Sequence, residues 1–122
     1  MIDFNENNLR IEVFPAKDNY QVVEFKGNLD KVGLEKGEPK MEEVAAQLSA
    51  GYLVFNFEKL DFINSEGIGL MLTLHARLIK KSMKLVIVGA NSHVKDVFDV
   101  IGMTKIINCF DTMVEFLDSL KS

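Results

Sequence analysis

The side chains best equipped for chemistry are few and scattered. His75 falls inside a helical pattern, His93 in the first turn of another, and Cys109 in a strand pattern. No HExxH or CxxC spacing links them, so neither a metal nor a cofactor is expected, and both histidines read as partly exposed structural residues. Cys109 is the single cysteine and has no internal disulfide partner; it reads as a buried, inert thiol in a reducing cytosol. Gly67-Ile68-Gly69 lacks the third glycine of a dinucleotide fingerprint and the GK[ST] ending of a phosphate loop. Ser65 follows Ile63-Asn64, which removes it from a GxSxG nucleophile elbow. Glu42-Glu43 reads as a solvated helix face rather than an acid and a base. With no catalytic residues assembled, the chain does not read as an enzyme.

What remains is the run Leu60-Asp61-Phe62-Ile63-Asn64-Ser65-Glu66-Gly67-Ile68-Gly69. It places a serine hydroxyl at the start of a helix, where backbone N–H groups are unpaired and the dipole is positive. One reading makes Ser or Asn there simply an N-cap, stabilising by about 1 kcal/mol. The other makes Ser65 a phosphorylation site whose phosphate the helix N-terminus tolerates. Nearly two negative charges would then appear beside Gly67, Ile68 and Gly69, a surface suited to close protein contact before modification. Spacing alone favours the cap. The following helix tilts the balance, because Ile68, Leu70, Met71, Leu72, Leu74, Ala76, Leu78 and Ile79 nearly encircle it. One stripe covers a sheet, so the surplus implies burial on two sides or an apolar docking face.

The elements that position this run follow from hydrophobic period. Leu9, Ile11 and Val13 alternate with Arg10 and Glu12, and Gln21 to Phe25 resumes the β pattern after turn residues 15–19. Gly27-Asn28-Leu29-Asp30 is expected to break that strand. Residues 31–39, with two glycines and Pro39, are expected to be an irregular or frayed start to a helix over 41–49 that Gly51 closes. Strands are expected at 52–57 and 83–88, flanking a helix from 67 to 81 in a βαβ unit. Asn91-Ser92 opens a helix with the stripe Val94, Val97, Phe98 and Ile101, which Gly102 ends. A last strand over 105–110 leads to Asp111, the expected cap of a helix bearing Met113, Phe116, Leu117 and Leu120. The order ββαβαβαβα predicts an α/β domain: an open mixed sheet of about five strands packed against about four helices.

The chain of 122 residues is expected to form one domain over 1–122, and its 48% apolar content is enough for a core. A formal charge of −4 with no Lys/Arg run argues against direct nucleic-acid binding. Lys80-Lys81 is the densest basic pair. The first thirteen residues lack a basic region followed by an apolar one, and no uncharged apolar run would span a bilayer, so a cytoplasmic location without membrane insertion is expected.

These residues resemble the STAS domain family, and especially the short bacterial anti-sigma-factor antagonists. The family segment Leu-x-[Phe/Tyr]-[Ile/Met]-Asp-Ser-[Ser/Thr/Ala]-Gly-[Leu/Ile]-Gly is matched by Leu60 to Gly69. Gly27-Asn28-Leu29-Asp30 resembles the family's Gly-Glu-[Leu/Ile]-Asp, and Val97-Phe98-Asp99-Val100-Ile101-Gly102-Met103 its Leu-Phe-x-x-[Ser/Thr]-Gly-Leu. The likeness spans roughly residues 9–120. It implies partner switching, in which the unphosphorylated domain binds an anti-sigma factor that is also a serine kinase, phosphorylation breaks the complex, and a metal-dependent serine phosphatase restores it. Ser65 matches the acceptor, while Asp30 and Ile68 match positions near the kinase. Asn64 replaces the usual Asp, and Glu66 replaces a small residue, where its charge either opposes phosphate addition or partly mimics it. The resemblance leaves monomer or weak dimer open. The alternative is a constitutive STAS subunit of a transport or signalling complex, with Ser65 only an N-cap. An enzyme or nucleotide-binding domain built on Gly67-Ile68-Gly69 comes third.

Overall fold

A computed structural model describes residues 9–121. Most of the stretch that argued against a signal peptide, and the two ends of the expected domain, lie outside the described residues. Five strands form one sheet in chain order: β1 (Arg10–Val13), β2 (Tyr20–Leu29), β3 (Tyr52–Ile63), β4 (Lys84–Val88) and β5 (Asn108–Phe110). β1 runs antiparallel to β2, and the other three pairs are parallel. Each parallel pair is joined through a helix: α1 (Lys31–Gln47), α2 (Ser65–Ile79) and α3 (Ser92–Ile101); α4 (Met113–Ser119) follows the last strand. The expected mixed sheet and element order are those observed.

Crossovers of one hand between successive neighbours place their helices on one face of the sheet. Inward residues of β2, β3 and β4 (Val23, Phe25, Phe55, Phe57, Leu85, Ile87) therefore share a core with Leu34, Met41, Met71, Leu74, Val94 and Phe98 from the three helices. Phe25 lies edge-on to Phe55 and Phe57, with ring centroids 4.7 and 5.2 Å away. α4 covers part of the other face, where Val54, Val86 and Val88 meet Phe116. Tyr20, Tyr52 and Phe110 ring Phe116 at 5.5–5.8 Å, which anchors this short helix. Beyond α4 the same face turns polar, and Lys59 pairs with Glu24 at 3.2 Å.

The apolar surplus on α2 is mostly buried. Ile68, Leu70, Met71, Leu74 and Leu78 lie within the core, while Ile79 stays 47% exposed. α2 packs against both β4 and α1, so burial on two sides accounts for most of the pattern.

Several local expectations need correction. Gly27-Asn28-Leu29 does not break β2; the strand runs through Leu29, with its register shifting beside Gly27 at φ +102°. Residues 31–39 are neither irregular nor frayed, because α1 starts at Lys31. Its glycines are there for space. A Cβ on Gly33 would lie 2.3 Å from the Asn28 carbonyl oxygen, and one on Gly37 2.6 Å from Leu9 Cδ2. Pro39 sits on the exposed side of the helix, bracketed by the buried Leu34 and Met41. α1 ends at Gln47, four residues before Gly51, whose N–H instead donates to Asn19 Oδ1 at 2.8 Å. β3 reaches Ile63, outrunning β4, whose pairing stops at Asn56–Val88. β5 is shorter than expected, since Met103–Lys105 forms a 3-10 turn. α4 is capped by Thr112, which accepts from the Glu115 N–H at 3.1 Å, and not by Asp111.

His75 has a structural task. Its Nδ1 accepts the Leu85 N–H at 3.3 Å, one residue ahead of the point where β5 begins pairing with β4. Burial, and secondarily the charge of Lys84, hold its pKa below 6.5.

Two outcomes follow. Gly33→Ala should destabilise by about 1–3 kcal/mol despite alanine's better helix propensity, whereas Gly69→Ala, with nothing within 4 Å of its Cβ, should stabilise by about 0.5–1 kcal/mol in urea unfolding. Because folding lowers the His75 pKa, the unfolded chain binds the proton more readily. The His75 contribution is therefore complete above pH 6.5 and is lost as pH falls through the folded value. Unfolding measured from pH 8 to 5 should show that decline in the parent, and a shallower one in His75→Gln.

Candidate functional site

β2 and β3 end together, with Leu29 opposite Ile63. The Asn64 N–H donates to the Leu29 carbonyl at 3.0 Å, tying the two strand exits. Each strand then turns directly into a helix through a short polar side chain. Asp30 Oδ1 accepts the Gly33 N–H at 2.9 Å and caps α1. Asn64 Oδ1 accepts the Gly67 N–H at 2.8 Å and caps α2. Asn91 caps α3 in the same way, and its Nδ2 donates to the Leu60 carbonyl at 3.1 Å. Three helix N-termini thus gather at the carboxyl edge of the parallel strands, the edge where open α/β sheets place their binding surfaces.

This arrangement assigns the cap of α2. The cap belongs to Asn64, and Ser65 is the first residue inside α2. Its side chain is exposed and makes no hydrogen bond among the described residues. An asparagine accepts the Gly67 N–H as an aspartate would, so the Asn64 replacement preserves the cap while removing a charge. Gly67 is required for space: a Cβ there would lie 2.8 Å from Ile63 Cγ1 and 3.3 Å from the Leu29 carbonyl oxygen.

Of the other residues singled out from sequence, Glu66 and Gly69 are exposed and Asp30 and Asn64 are half-buried. Gly67 and Ile68 are buried, Ile68 with 6% exposure. The outer surface beside Ser65 is therefore narrower and more polar than a Gly-Ile-Gly patch. Glu66 faces α1 across a cleft of about 310 Å³, lined by Lys31, Leu34, Glu35, Glu38 and Pro39. Sequence reasoning missed these α1 residues. Lys31, Glu35 and Glu38 have the i, i+4, i+7 spacing of one helix face, a signal hidden by treating 31–39 as irregular.

The remaining reactive groups do not converge here. His75 lies on the far half of α2, and His93 is exposed on α3. Burial pushes the Cys109 thiol up to about 11, with Asp99 adding to the rise, so thiolate is scarce near neutrality. Among the described residues no three His, Cys, Asp or Glu side chains are grouped to hold a metal ion. No helix among them is long and apolar enough to cross a membrane.

The fold and this edge define a STAS domain. The sequence pattern of that family matches residues 13–116, and the chain belongs to it. It is 25% identical over 114 residues to the anti-sigma F factor antagonist of Paenibacillus polymyxa, covering 93% of this chain and 97% of that one. An anti-sigma factor antagonist from Mycobacterium paratuberculosis superposes with a TM-score of 0.84 at 19% identity, over 97% and 98% of the two chains. The antagonist SpoIIAA, at 22% identity, gives 0.75 in its unphosphorylated form over 92% and 96% of the chains. Its phosphorylated form, described as the Bacillus cell fate determinant, gives 0.68 over 91% and 99%. The chain is thus a STAS domain resembling anti-sigma factor antagonists.

The capping geometry is directly testable. Asn64→Ala should lower unfolding stability by about 1 kcal/mol, and Asn64→Asp should leave it unchanged or slightly higher. Ser65→Ala should stay within about 0.5 kcal/mol of the parent. Urea unfolding of the three variants separates a capping asparagine from a capping serine.

Proposed function

We propose that this domain is a partner-switching regulator that binds an anti-sigma factor while Ser65 is unmodified and releases it once Ser65 is phosphorylated. The observation that carries this reading is a serine hydroxyl at the first position of α2, exposed and relieved of capping by Asn64. A kinase can reach such a hydroxyl without unfolding the helix. The resulting phosphate lies beside the N–H groups of the first turn and the positive end of the dipole, so the domain keeps its fold. Outward, the phosphate joins Glu66 on a surface that already carries Glu35 and Glu38 across the cleft. A partner seated flush on Ser65 then meets both bulk and like charge. Asp30, Asn64 and Glu66 border the contact. Gly67 and Ile68 serve it mainly through the close packing that sets the angle of α2, while the exposed Gly69 leaves the surface beside it free of a side chain.

In this reading the partner is an anti-sigma factor with serine kinase activity, and a serine phosphatase reverses the modification. The domain performs no chemistry itself, acts in the cytoplasm, and is a monomer or weak dimer. The likeness to antagonists over nearly the full chain supports the class of partner. The alternative, a constitutive STAS subunit of a transport or signalling complex, draws on the Asn64 and Glu66 replacements, although its reading of Ser65 as the cap does not hold because Asn64 caps α2.

Binding of the anti-sigma factor encoded nearest to this protein should persist with Ser65→Ala and weaken by about tenfold or more with Ser65→Asp, measured by calorimetry. Intact-mass analysis of the protein from its own cells should show a condition-dependent phosphate on Ser65. Equal binding by both variants, with no phosphate under any condition, defeats the switch and leaves a constitutive docking subunit.

A further inference from the structure

At the opposite end of α2 from Ser65, roughly 20 Å along its axis, α1 and α2 leave a groove of about 280 Å³ between their C-terminal halves. Its floor is apolar: Ala45 and Leu78 are 4% and 1% exposed, and Ala46 lies beside them. The two alanines keep the α1 wall low. Its rim carries Arg77, Lys80 and Lys81, the densest positive charge in a chain of net charge −4. Within the groove only Glu42 opposes them, pairing with Arg77 at 3.4 Å. Lys81 Nζ reaches the Ala46 carbonyl at 3.4 Å, as suits a cation at the end of α1. Lys80 makes no ion pair among the described residues. The half-exposed Ile79 extends the apolar surface beside it.

We propose that this groove docks an acidic amphipathic helix from a partner protein. Charge complementarity selects the occupant, since the local field is positive although the whole domain is negative. The geometry selects a helix. The groove is open and slightly smaller than sites that enclose small ligands, yet it accepts the ridge of a third helix laid along α1 and α2. Apolar side chains of the incoming helix rest on Ala45, Ala46 and Leu78, and flanking carboxylates meet Arg77, Lys80 and Lys81. The surface is separate from the Ser65 edge, so a partner held here stays bound whatever the state of Ser65.

The test is an amide-resolved NMR titration of the full chain with a synthetic helical peptide bearing a leucine stripe flanked by glutamates. Saturable shifts are expected at residues 45–46 and 77–81. Affinity should fall about tenfold in the Lys80→Glu/Lys81→Glu variant and in about 0.5 M NaCl, and be unchanged in Ser65→Asp. Both lysines are exposed, and circular dichroism should confirm an intact fold in the double variant. Equal binding by a peptide with lysines for glutamates, shifts centred elsewhere, or no shifts at millimolar peptide would each overturn the proposal. So would dodecanoate occupying these residues in place of the peptide, which marks a small-molecule site, or concentration-dependent shifts without peptide, which mark a second copy of the chain.

Discussion

The structure turns on one hydrogen bond, from the Asn64 N–H to the Leu29 carbonyl, where β2 and β3 come to an end side by side. It brings two chain exits to the same height, and both must become helices at once. That leaves two sets of unpaired N–H groups at one edge of the sheet, and Asp30 and Asn64 each take one donor from their own helix. The same closeness crowds a side chain at position 67, which would meet Ile63 first and the Leu29 carbonyl next. Asp30, Asn64 and Gly67 are therefore consequences of one juncture. Ser65 is the residue that juncture leaves unconstrained and facing outward.

The two faces of the sheet serve different ends. One is sealed by three helices over a phenylalanine cluster, so the strand residues that point to it, such as Val23, Phe25, Phe55 and Phe57, are apolar. Among the described residues the other is sealed where α4 places Phe116 among three aromatic rings. Its remainder is left to charged residues such as Glu24 and Lys59. The first face also holds the Ser65 edge in place, through the buried Leu29, Leu60 and Ile63 just behind it.

Much of this was legible from periodicity. The alternation of Leu9 to Val13, the apolar run of β4 and the stripe of α3 each named an element correctly, and the segment Leu60–Gly69 marked the passage from β3 into α2. What misled were residues whose reason lies in a neighbour. Gly33, Gly37 and Pro39 read as breakers, yet the glycines answer to Asn28 and Leu9, which local sequence does not reveal. The polar half of β3 read as the end of a strand because alternation fades where β4 stops and only β2 remains as partner. Ile68 read as surface, and its burial depends on the direction in which α2 leaves the sheet. Between Asn64 and Ser65, two equally good caps, the Asn64 link to Leu29 fixes which one is outside the helix.

The order of strands across the sheet is also their order along the chain. No strand has to wedge itself between two that have already paired. A growing polypeptide can therefore add one strand-and-helix unit after another to an existing edge, as it leaves the ribosome, with each new strand pairing to the one just before it. This order also leaves α4, the one helix among the described residues on its face, to close over strands that are already paired.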